Sequence, residues 1–137
     1  MAEVLAVFMR WLHIASMAVL VGGMFYGRLV IKATSATVAP DASEKLSDAA
    51  AALFRPGVLA CIAALVLSGI YNVLTTPGHT TRYHVWLGIK LLLVLHVFAA
   101  AILATRPAHH RRLRLMGSAA ISGLIIILIS AYLRRIF

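Results

Sequence analysis

From Leu115 to Leu133 the chain reads LMGSAAISGLIIILISAYL, nineteen residues without a charge. At about 1.5 Å per residue a helix of that length crosses the roughly 30 Å hydrocarbon core of a bilayer. Three further segments qualify: Val4 to Ile31, Val58 to Leu74 and His84 to Leu103. The composition agrees, since 62% of the 137 residues are apolar and 12% charged, against about 25% charged in a water-soluble domain. The expected fold is all-α: a single integral membrane domain, a four-helix bundle. A multi-domain enzyme is excluded by length, and a disulfide scaffold by the single Cys61. The net charge of +9 does not point to nucleic acid, because the basic residues flank apolar runs instead of forming one polar face. Anionic headgroups of the lipid bilayer are the simpler partner.

The connections carry the polar signals. Between the first two segments, Pro40 and Asp41 read as a turn and Ser43 as an N-cap opening a surface helix over 43–55, with a kink or break at Pro56. Thr75 to His79 reads as a tight turn. The third connection holds Arg106, His109, His110, Arg111, Arg112 and Arg114, and reads as a solvated, headgroup-binding loop. Connections one and three share a side, which the positive-inside rule makes cytoplasmic. Both termini are then periplasmic in a bacterial inner membrane.

A titratable group inside a span costs about 2.5–3.5 kcal/mol at the helix centre, so each needs a reason. Arg10 and Lys90 stand near the ends of their segments, where long side chains reach the interface. His13 and His96 are shorter; each is either a satisfied core histidine or a ligand. Counted from the segment starts, His13 falls between Lys90 and His96 in depth, about 5 Å from each, so His13 and His96 could face one another as axial ligands of a haem iron. Arg10, Arg82 and His84 gather near the same membrane face, suited to propionates. A competing pattern is the stripe Met9, His13, Met17 and Met24, within about 80° on one helix face, which suits copper or plain packing. Gly22, Gly23, Gly27, Ser118, Ser122 and Gly123 thin out segments one and four for close helix approach.

The run Arg10-Trp11-Leu12-His13 with Val21-Gly22-Gly23-Met24-Phe25 resembles the first helix of the copper-resistance protein D superfamily, and the chain also resembles the HemJ-type protoporphyrinogen oxidases. Ser68-Gly69-Ile70, Trp86-Leu87-Gly88-Ile89-Lys90-Leu91-Leu92 and Thr105-Arg106 continue the likeness. The resemblance implies bound haem b with functional His13 and Lys90, or copper handling in the other branch. Ser43 to Asp48 replaces the basic segment of the oxidases, and their Tyr-His pair late in the third helix has no counterpart. The expectation is therefore a haem b membrane protein that passes electrons, to quinone or a partner subunit. The alternatives are a copper-binding protein, or an oligomeric accessory subunit of a larger respiratory or photosynthetic complex without chemistry of its own.

Overall fold

The computed structural model describes residues 1–76 and 80–135. Four helices follow in order: α1 (Ala2–Thr37), α2 (Pro40–Thr75), α3 (Thr81–Ala104) and α4 (Arg112–Leu133). All four are long and apolar enough to cross a membrane. Pro77, Gly78 and His79 of the expected second turn lie outside the described residues.

The helices run up, down, up and down. Contacts of α1 with α2 pair His13 with Ser68 and Gly23 with Phe54, and those with α4 pair Val21 with Gly123 and Arg28 with Gly117, so both neighbours are antiparallel to α1. α4 also packs along α3, whereas α2 and α3 touch least of the adjacent pairs. The start of α1 and the end of α4 therefore share one end of the bundle.

The interior is built from Leu20, Met24, Val58, Val97 and Met116 together with the alanines at 100, 101, 104, 119 and 120. Small side chains let α3 and α4 approach closely, which is how helices gain contact in lipid. The exterior is equally apolar: Leu53, Leu74, Leu92 and Leu128 are each at least 70% exposed. A bundle that is oily both inside and out has lipid as its solvent.

The first connection departs from expectation. The surface helix over 43–55 is not separate, and Pro56 does not end it; α2 runs unbroken from Pro40 to Thr75. Ser43 is no cap. It is buried inside the helix, its N–H donating to Ala39 at 2.9 Å, and Pro40 occupies the first turn, where a missing N–H costs nothing. Pro56 deprives one carbonyl of its partner, a cost of about 3 kcal/mol in a helix interior, which the packing of Ala51, Phe54 and Val58 on either side offsets. α1 likewise continues to Thr37, with the hydroxyls of Thr34 and Thr37 donating back to Val30 and Ala33 at 2.8 and 3.1 Å.

Two glycines hold α1 close to its neighbours. A Cβ at Gly123 would stand 2.4 Å from Cγ2 and 3.3 Å from Cβ of Val21, and one at Gly23 would stand 2.3 Å from the Phe54 ring. Val21 is branched and cannot swing clear. Gly123→Ala is expected to destabilise the bundle by about 1–3 kcal/mol, read as a lower thermal midpoint in detergent. Gly22→Ala, with nothing within 4 Å of the new Cβ, should leave the midpoint unchanged or raise it. An unaltered midpoint in Gly123→Ala would reject close packing as that glycine's role.

Candidate functional site

Ser68 is fully buried on α2. Its hydroxyl donates to the carbonyl of Ala64, one turn back, at 2.6 Å, as serines in helices commonly do. With that proton committed, the oxygen accepts, and the group opposite it is Nδ1 of His13 at 2.9 Å. The carbonyl of Leu65, 3.4 Å from the same hydroxyl, is a second acceptor beside the ring. These contacts assign the tautomer: Nδ1 carries the proton and Nε2 keeps its lone pair. This is the arrangement of a metal-binding histidine, whose other ring nitrogen donates to a neighbouring acceptor; a core histidine makes the same first bond.

Gly69 lies beside the ring, where a Cβ would rest in ordinary contact 3.5 Å from Cε1. Lys90 comes from α3, seven residues before Val97 and fourteen before Ala104 on the buried stripe of that helix, so it too faces inward. His13, Ser68 and Gly69 thus meet across α1 and α2, and Lys90 faces the same interior from α3.

His96 is not brought to them. Val97 and Ala100, Ala101 and Ala104 set the inward face of α3 by packing against α4. At about 100° per residue, the position before Val97 is turned away, and His96 is exposed. The facing pair of histidines expected from depth alone is corrected on this ground, because depth says nothing about rotation.

The other expected residues are placed at the same end of the bundle as His13. Arg10 is exposed and lines a shallow groove with Ala6, Val7, Trp11 and Ile14 on the outer side of α1. Arg82 donates from Nη2 to the Tyr132 hydroxyl at 2.6 Å and lies 5.8 Å from that ring's centroid, while Tyr132 meets Trp86 edge-on. His84 is exposed and contacts Tyr83 edge to face.

The methionine stripe divides. Met24 is fully buried in the core and Met17 packs against it. Met24 also lies eleven residues from His13, about 16 Å along the helix, so one copper ion cannot touch both. Met9 and Met17, a turn to either side of His13, are the only thioethers of the stripe within reach of its ring. No group of three or more His, Cys, Asp or Glu side chains converges among the described residues.

One cluster was not legible as such in the sequence. Arg112 belongs to the basic third connection, yet only 6% of it is exposed. Its Nε donates to Ala104 O at 2.9 Å, Nη1 to Ser47 Oγ at 2.6 Å, and Nη2 to Asp48 Oδ1 at 2.6 Å and Arg106 O at 2.7 Å. Asp48 in turn accepts from the Ala108 N–H at 3.1 and 3.2 Å, where the backbone turns through a φ of 50°. Arg112 is therefore no solvated headgroup ligand but the tie between α2, the end of α3 and the start of α4. The hydrogen bond from Arg112 holds the Asp48 carboxyl below the usual carboxylate range. A signal existed: Asp48 is the last acidic residue of the chain, and one acid facing so many arginines must choose a partner. His109 and His110 stack with ring centroids 5.5 Å apart at the surface of the same connection.

Comparison with protein-family models, with curated proteins and with solved structures returns no match to this chain.

Proposed function

We propose that the protein is a redox protein of the bacterial inner membrane that holds haem b at His13, with its termini on the periplasmic side and electrons passing to quinone or a partner subunit. The observation that carries this reading is the hydrogen-bond chain from His13 through Ser68 to Ala64, which leaves Nε2 as a fixed lone pair in an apolar bundle. Ser68 orients the ring, and Lys90 is the inward-facing group on the opposite helix that would serve as a second ligand. Lys90 serves there only as the neutral amine, because a ligand must offer a lone pair. The bound iron would supply one-electron exchange between its ferric and ferrous forms. Arg82, tied to Tyr132, and Arg10 supply positive charge at the membrane face nearest His13, as propionates require. The resemblance to the HemJ-type oxidases, which implies His13 and Lys90, supports the same pair.

A reduced-minus-oxidised spectrum of the purified protein tests the proposal. A Soret band with sharp α-bands is expected, and replacing Met9, Met17 and Met24 together by Leu should leave it unchanged. A colourless preparation that retains stoichiometric Cu(I) would overturn haem in favour of copper. One that retains neither and co-purifies with a large complex would identify an accessory subunit.

A further inference from the structure

Arg55 stands on α2 just before Pro56, and its side chain is largely covered by the bundle. Its Nη1 is buried without a hydrogen-bond partner, the one side-chain nitrogen or oxygen in that condition among the described residues. A guanidinium stays charged at every physiological pH, and in a membrane span such a group pairs with something.

The chain does not supply that partner. Its acidic residues are Glu3, Asp41, Glu44 and Asp48. Glu3 sits in the first turn of α1, at the far end of the bundle. Asp41 and Glu44 lie about 16–21 Å away along α2. Asp48, two turns ahead on the same face, is already engaged by Arg112 and Ala108.

Position then selects the ligand. Phe54 is turned to α1 over Gly23, so Arg55, about 100° further round, faces the α3 side of α2, along the seam where the helices touch least. Side chains on a helix lean toward its N-terminus, which carries the guanidinium toward Asp48 and the end of the bundle that bears Arg28, Lys32, Arg106, Arg111 and Arg114. A cation at the polar end of an apolar seam matches a molecule with an anionic head and apolar tails. We infer that Arg55, swinging its guanidinium out of the covered position in which Nη1 has no partner, binds the phosphate of one anionic phospholipid seated in the α2–α3 seam. This site is independent of any group at His13.

Wild type, Arg55→Gln, Arg55→Lys and Arg106→Gln are purified in detergent and supplied with phosphatidylglycerol, phosphatidylcholine or inorganic phosphate, with bound lipid read by native mass spectrometry and stability by thermal unfolding. Wild type is expected to retain phosphatidylglycerol over phosphatidylcholine by roughly tenfold and to melt higher with it. Arg55→Gln should lose both effects while folding normally, since it removes an unpaired charge. Arg55→Lys should keep part of them as a point charge without the planar fork, and Arg106→Gln should keep them in full. Equal retention by wild type and Arg55→Gln would overturn the site. A thermal shift with inorganic phosphate as large as that with phosphatidylglycerol would reject the lipid as the carrier of the phosphate.

Discussion

On the proposed haem reading, His13→Ala is expected to abolish the Soret and α-band absorbance, whereas His96→Ala leaves it intact. The contrast follows from rotation: His13 is held inward by Ser68 at 2.9 Å, and His96 is turned out of the bundle. Ser68→Ala should weaken haem retention by about 10–100-fold, the usual effect of removing the group that orients a ligating histidine. Lys90→Met should retain haem through His13 but shift the α-band if Lys90 holds the group together with His13. Imidazole added to a His13→Gly variant should restore the bands, a rescue that a merely structural histidine would not show. Persistence of the full spectrum in His13→Ala would sink the assignment.

Arg112→Ala is expected to cost about 3 kcal/mol, the lower end of the range for removing one partner of a buried ion pair. The figure is at the lower end because Asp48 is 31% exposed and keeps its bond from Ala108, so water and backbone take up part of the loss. The carbonyls of Ala104 and Arg106 lose a donor at the same time. Arg112→Lys should recover little, since one ammonium cannot reach acceptors on three elements at once. The measurement is thermal unfolding in detergent, with proteolysis of the third connection as a local readout; a variant as stable as wild type would show that the network contributes nothing. The pH dependence has a definite sign. Asp48 titrates lower in the folded state than its usual 3.8, so the folded state binds fewer protons and gains stability as pH rises toward that value. The contribution is complete above it and is lost as pH falls through the lowered value. Stability should therefore be insensitive to this group between pH 5 and 8, with an acid limb below about 4 that is diminished in Asp48→Asn.

Much of the fold was legible because lipid imposes a length rule on apolar runs. Leu115 to Leu133 could be little else than a spanning helix, and the other three segments follow suit. The first connection was misread because Pro56, Ser43 and the Thr34–Thr37 stretch are local punctuation. In the folded chain α1 runs on to Thr37 and α2 runs from Pro40 through Ser43 and Pro56 to Thr75, with Phe54 packed on Gly23 between them.

The candidate site was half legible. His13 and Lys90 stood out as titratable groups in apolar segments, but rotation about α3 decided that Lys90 enters and His96 leaves. That rotation is set by which small residues of α3 meet α4, a pairing between distant segments that no count along one helix contains. Arg112 teaches the same lesson at the basic end, where four neighbouring arginines looked alike until the fold put one of them against Asp48. The amino-acid sequence alone determined the number of helices, their antiparallel order and the residues too polar for their surroundings, because those depend on composition and length. Only the tertiary structure decided which polar groups meet, because facing is a property of how helices pack.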